Sequence, residues 1–169
     1  MFPKWTFFQI ITLLFLVIAM FCADLYKKDI AVPMSSNSYL IFKPIFLAML
    51  FIIIVVGCFY LITIFQNEKK TIMSHPIWSK MHIISLLIFG ISTFIFIVLA
   101  ITSPLAEWVQ EWRWILYFII CYFLFLIYWL VLSIINKYST SITTKKKIHL
   151  SYLTTVLILF FIIFFLPSI

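Results

Sequence analysis

Five long apolar stretches without a single charged residue constrain this chain more than any other feature. They cover residues 5–23, 45–65, 83–102, 114–135 and 150–166. A helix needs about 20 apolar residues to cross the roughly 30 Å of hydrocarbon in a bilayer, because each residue adds about 1.5 Å. The sequence therefore predicts an all-α polytopic membrane protein, a bundle of about five transmembrane helices.

The composition excludes a soluble domain. Apolar residues make up 66% of the chain and charged residues only 10%, whereas charged residues are about 25% of a typical soluble domain. The longest polar connections are roughly 15 residues long, which is too short for a separate folded unit. We therefore expect a single transmembrane helical domain over residues 1–169 and no soluble catalytic or binding domain.

The basic residues indicate how the helices are oriented. The chain carries 12 Lys and Arg against 5 Asp and Glu, and the basic residues flank the apolar stretches. This arrangement favours lipid head groups over nucleic acid as the partner. Eight of the twelve lie at the N-terminus and in the second and fourth loops, and loops rich in Lys and Arg stay in the cytoplasm. The sequence predicts a multi-pass protein of the cell membrane with its N-terminus cytoplasmic and its C-terminus outside, and the strong preference for Lys, Phe and Ile is typical of a bacterium with an AT-rich genome.

The first apolar stretch has two possible readings. Lys4 before an apolar core is also the pattern of a secretory signal peptide. Signal cleavage needs small residues just before the cut. Phe21 occupies such a position for a cut before Cys22 and for a cut before Asp24. We therefore expect the first stretch to be retained as a helix.

The apolar stretches lack the groups that most membrane enzymes and transporters require. Proton relays and intramembrane proteolysis depend on ionisable side chains within the spans, and these stretches hold no charged residue. Transporters also tend to break their helices at paired Gly or Pro residues. Here Gly57 and Gly90 are the only glycines, and no Pro lies inside a stretch. The sequence favours a protein that is neither a transporter nor an enzyme.

Histidine and cysteine are the remaining candidate ligands for a metal or haem. His82 and His149 begin the third and fifth stretches at similar depth, so they could share a metal or a haem edge. His75 lies in the second loop. We favour ordinary interfacial histidines beside lysines, and we predict neither a metal nor a cofactor. The three cysteines lie inside apolar runs without metal-ligand spacing, as small buried side chains do: Cys22, Cys58 and Cys121.

The third and fourth stretches differ in side-chain size. Ser85, Ser92 and Ala100 lie roughly on one face of the third stretch, and small residues let helix backbones approach each other in lipid. We predict that these three residues mediate helix packing. The fourth stretch carries an aromatic stripe that includes Tyr117 and Tyr128, whose hydroxyls need partners when buried. Such a stripe favours core packing over a quinone or haem pocket.

The segment before the fourth stretch is predicted to be an amphipathic helix. Ser103 and Pro104 suit an N-cap followed by the first helical position. The apolar residues Leu105, Trp108, Val109 and Trp112 recur at i, i+3, i+4 and i+7, which places them on one face. We expect an extracytoplasmic interfacial helix. Because Trp is enriched where proteins bind, we also expect this segment to be the contact with a partner. The predicted contact residues are Leu105, Glu107, Trp108, Glu111 and Trp112.

Two functional hypotheses follow from these features. The preferred one is a non-enzymatic accessory, partner-binding or immunity-type membrane protein, whose partners are the lipid bilayer and another membrane protein. Its basis is elimination, since packing surfaces are the distinctive features of the chain. The alternative is a membrane-embedded redox or lipid-modifying component that uses interfacial His together with Tyr117 or Tyr128.

Overall fold

The computed structural model describes residues 4–25, 38–69, 76–139 and 142–165, and these residues are helical with short connections. Within these ranges the structure has six α-helices and one 3-10 turn, in chain order: α1 (Lys4–Leu25), α2 (Ser38–Lys69), the turn Pro76–Ser79, α3 (Met81–Thr102), α4 (Leu105–Glu111), α5 (Trp114–Tyr138) and α6 (Thr144–Phe165). Among the described residues, all these helices except α4 are long and apolar enough to cross a membrane. The predicted helical bundle with five membrane-length helices is confirmed.

The helices extend beyond the apolar stretches of the sequence. α2 continues to Lys69, and α6 begins at Thr144. The lysines 145–147, which we expected in a loop, therefore form the first turn of α6. Lys is a good helix former, and its long stem can follow the helix while the ammonium reaches water. Hydropathy marks the lipid-embedded part of a helix and leaves out such polar ends.

One end of the bundle collects most of the lysines. Lys69 donates a hydrogen bond of 3.1 Å to Thr6, which joins the end of α2 to the start of α1. Similar contacts join the end of α5 to the start of α3 and the end of α2 to the start of α6. We call this region the lysine-rich end. Its described lysines are Lys4, Lys69, Lys80, Lys137, Lys145, Lys146 and Lys147.

Three helices form the core, and two others lie outside it. α2, α5 and α6 each contact the other two, whereas α1 packs mainly on α2 and α3 mainly on α5. Val55, Tyr128, Leu132 and Ile148 are fully buried where the three central helices meet. α5 buries seven side chains, while Ser85 is the single buried side chain of α3. The exposed aliphatic faces of α1 and α3 are the surfaces that lipid can reach.

Small and hydroxyl side chains are buried where helices pack against each other. Ser151 and Thr155 on α6 are 0% exposed and lie one turn apart. Their hydroxyls donate to carbonyl oxygens of α6 itself, at Lys147 (2.8 Å) and Ser151 (2.7 Å). Ala19 and Ala23 are the corresponding small residues of α1, where it lies against α2. Helices without a hydrophobic driving force between them associate through such small residues.

Candidate functional site

The polar groups at the lysine-rich end connect helices to one another. Lys145 of α6 lies 2.7 Å from a carboxylate oxygen of Glu68 on α2. Lys137 of α5 lies 2.7 Å from Nε2 of His82 on α3. An ammonium group has only donors, so His82 accepts this hydrogen bond through Nε2. The other ring nitrogen, Nδ1, is buried and has no hydrogen-bond partner among the described residues. These groups hold the helix ends in register.

A phenol and an imidazole meet between α2 and α6. The Tyr60 hydroxyl lies 2.6 Å from Nδ1 of His149, and their ring centroids are 5.2 Å apart. The Tyr152 ring packs against Tyr60 at 5.0 Å. His149 itself is exposed. A hydrogen-bonded phenol and imidazole can exchange a proton, so this contact has the groups that acid–base chemistry needs.

Sequence reasoning missed this phenol–imidazole pair because Tyr60 comes next to His149 only in the folded chain. His149 and Tyr152 are three residues apart and therefore share a face of α6, a signal that was available. Tyr60 lies 89 residues away from His149, and no local pattern identifies it as the partner. The phenols that we singled out lie elsewhere. Tyr117 packs on Phe51 with centroids 6.3 Å apart.

The two histidines that could have shared a metal have separate partners. His82 contacts α5 and His149 contacts α2. Within the described residues, no group of three or more His, Cys, Asp or Glu side chains could hold a metal ion. His75 lies outside the described residues. Cys58 and Cys121 are buried, but Cys22 is exposed, contrary to our expectation, because it lines an open groove between α1 and α2.

The predicted packing residues of α3 have different surroundings. Ser85 is 3% exposed, and its hydroxyl lies 2.8 Å from that of Ser133 on α5. The hydroxyl of Ser92 lies 2.7 Å from that of Tyr122 on α5. Ala100 is exposed. Two of the three small residues thus contact α5, while the third is exposed.

The segment before α5 begins its helix differently from our expectation. Ser103 is the C-cap of α3, with both its backbone N–H and its hydroxyl donating to the Leu99 carbonyl, rather than the N-cap of the next helix. Pro104 occupies the N-cap position of α4 and supplies no side-chain cap. Serine hydroxyls often bond to the carbonyl four residues earlier, and Ser103 makes that bond instead of capping α4.

α4 presents two tryptophans and two carboxylates on its exposed side. Trp108 is 53% and Trp112 66% exposed, and Glu107 and Glu111 are exposed beside them. We call these four residues the tryptophan–glutamate surface. The helix itself packs against α5 and α3. The fifth predicted contact residue, Leu105, has a side chain outside the described part of the chain.

No protein-family model, curated protein or solved structure matches this chain.

Proposed function

We propose that this chain is a non-enzymatic protein of a bacterial cell membrane that binds another protein through the tryptophan–glutamate surface. The observation that carries the proposal is the pair of tryptophans on α4, each more than half exposed. Binding energy at protein interfaces is concentrated in a few residues, among which Trp is enriched. Glu107 and Glu111 beside them add charge that selects among partners. An accessory subunit or an immunity-type protector fits this description.

The contacts at the lysine-rich end support a structural role for the charged groups there. Glu68 is paired with Lys145, and Lys147 donates to Asn136 at 2.9 Å. Each contact joins two different helices. Groups engaged in this way stabilise the bundle. In this proposal recognition therefore depends on the polar and aromatic surface at α4.

We also propose the orientation in which the lysine-rich end is cytoplasmic and α4 is outside. The excess of lysine at one end supports this arrangement. The partner would then be another envelope protein or a membrane-active toxin that reaches the bilayer from outside.

In the proposed resting state, α4 lies at the membrane interface with its tryptophans among the head groups. Trp108→Glu should detach the segment, whereas Glu111→Gln should leave it in place. Fluorescence quenching by lipid-borne quenchers measures this directly when Trp108 is the only tryptophan left. A water-exposed, mobile Trp108 in the unsubstituted segment would show that α4 is an ordinary loop helix.

A photo-crosslinking residue at position 108 tests the binding proposal in living cells. Phe118 on α5 is 65% exposed and gives a matched control position one helix away. We expect a discrete protein adduct from position 108 and lipid adducts alone from position 118. Glu111→Lys should lower the yield of the protein adduct, because it reverses a charge beside the contact. Equal yields at both positions, or no effect of the charge reversal, would contradict the proposal.

The second candidate is a membrane-embedded redox or lipid-modifying component, and the Tyr60–His149 contact is the observation that favours it. A phenol bonded to an imidazole at 2.6 Å is arranged for proton transfer. A visible absorption spectrum of the purified protein distinguishes the candidates. A Soret band that disappears on His149→Gln would favour a haem-dependent redox function over partner binding.

A further inference from the structure

An apolar groove of about 230 Å³ runs between α1 and α2 near the end of the bundle opposite the lysines. Phe15, Ile18 and Ala23 contribute to it from α1. Leu47, Leu50 and Ile54 contribute to it from α2. We call this feature the α1–α2 groove.

The groove exists because small residues lie where larger ones would fill the space. Ala19 and Ala23 are buried between α1 and α2, at 9% and 8% exposure. Phe15 and Ile18 stand higher on the flank of α1 and are about half exposed. The methyl side chains form the floor, and the bulky side chains form the walls. The weakly polar thiol of Cys22 is the one side-chain polar group in the described lining, and apolar cavities stay dry.

The groove opens away from the bundle. On the other flank of α1, Phe21 stacks on Trp114 of α5, with centroids 6.3 Å apart. Met20, beside it, belongs to the central core. That flank therefore faces the other helices. Residues 15, 18 and 22 lie on the opposite flank at helical spacing, so the groove faces the surrounding membrane.

The length and position of the groove match one leaflet of a bilayer. Residues 15–23 of α1 extend over about 12 Å at 1.5 Å per residue. Half of the roughly 30 Å hydrocarbon core is about 15 Å. The groove lies in the half of α1 that ends at Leu25 and stops near the middle of the span. One lipid tail reaches from the head groups to the bilayer centre, so a groove over half of the span has the length that an acyl chain fills.

We propose that the α1–α2 groove is a binding site for one acyl chain of a phospholipid from the leaflet opposite the lysine-rich end. An empty groove would leave its walls without dispersion contacts. The chain fills the groove over the two alanines while its head group stays at the level where α1 ends. This lipid is a ligand that remains bound while the surrounding lipids exchange.

Native mass spectrometry and a phosphate assay on protein purified in mild detergent test the proposal. We expect about one retained phospholipid per chain. Ile18→Trp places an indole over the groove and should remove that lipid. Ile95→Trp makes the same substitution on α3, away from the groove and at a residue that is similarly exposed, and should leave the lipid bound. No retained phospholipid in the unsubstituted protein, or equal loss in both variants, would overturn the proposal.

The thiol of Cys22 provides a second measurement that needs no substitution. It lines the groove and is exposed, whereas Cys58 and Cys121 are buried. Delipidated protein should react with a maleimide severalfold faster than protein as purified, and added phospholipid should restore protection. Protection by free fatty acid with none by phospholipid would assign the site to a different ligand and overturn the proposal. A reaction rate that lipid does not change would overturn it as well.

Discussion

The hydroxyl of Tyr128 lies at the centre of the bundle, and its removal in Tyr128→Phe should stabilise the protein. Tyr128 is 0% exposed. Its hydroxyl has no hydrogen-bond partner among the residues that the structure describes. The nearby Thr63 donates its own hydroxyl to the Phe59 carbonyl at 2.8 Å, so toward Tyr128 it can act only as an acceptor. The ring of Tyr128 fills the core, and in this arrangement no hydrogen bond within the described residues offsets the desolvation of its oxygen.

The expected gain follows from the cost of an unpaired group. A buried donor or acceptor without a partner costs about 1–3 kcal/mol. The substitution keeps the aromatic ring and removes one oxygen atom, so the loss of packing is small. We expect the free energy of unfolding to rise by about 1 kcal/mol, the low end of that range. The ratio of folded to unfolded protein would then rise about fivefold.

Unfolding in mixed micelles with increasing SDS, followed by circular dichroism, measures this change. Tyr122→Phe is the matched control, because it removes the same group from the same helix. Its hydroxyl is bonded to Ser92 at 2.7 Å, and a hydrogen bond between membrane helices contributes about 0.6 kcal/mol. The two variants should therefore shift the transition in opposite directions.

A loss of stability in Tyr128→Phe similar to that in Tyr122→Phe would refute this reasoning. It would mean that the Tyr128 hydroxyl has a partner after all. Thr63 is the side chain within its reach. In that case Tyr128→Phe should cost less stability in a Thr63→Val background than in the unsubstituted protein, since the bond between them would already be absent.

Three further predictions concern packing, charge and topology. Ser151→Leu should lower the free energy of unfolding by about 1–3 kcal/mol through overpacking, whereas Ser151→Ala should change it by less than about 0.6 kcal/mol, both in the same SDS titration. Glu68→Gln should cost less than about 1 kcal/mol, because its partner Lys145 is exposed, and high salt should reduce the difference from the unsubstituted protein. Reporter fusions after Ser139 and Ile169 should report cytoplasm and exterior respectively, and finding both on one side would contradict the five-span topology.

Hydropathy predicted the helices well because charged groups are costly in lipid, and that cost shapes composition over a whole span. It did not predict which helices are central. The sequences of α3 and α5 are both apolar, yet α5 buries seven side chains and α3 only Ser85. Lipid tails are as apolar as leucine, so apolar composition carries no information about burial inside a membrane.

The contacts of the candidate sites were predictable only in part. The shared helical face of Trp108 and Trp112 could be predicted because helical spacing is a local property of the sequence. The Tyr60–His149 contact depends on how α2 packs against α6, which the one-dimensional pattern leaves open. The role of Ser103 was predicted wrongly because the same hydroxyl can cap the following helix or bond to the preceding one, and composition does not decide between them.

The position of α6 in the fold has a consequence for the order of assembly during synthesis. α2 and α5 each contact α6 more extensively than they contact each other. Before residues 144–165 enter the membrane, the chain can form an α1–α2 hairpin and an α3–α5 pair that are only loosely joined. The ribosome delivers α6 after both, and Ser151 and Thr155 then enter between them. Nascent chains arrested before residue 144 should therefore be more accessible to membrane proteases than chains arrested after α6 has inserted.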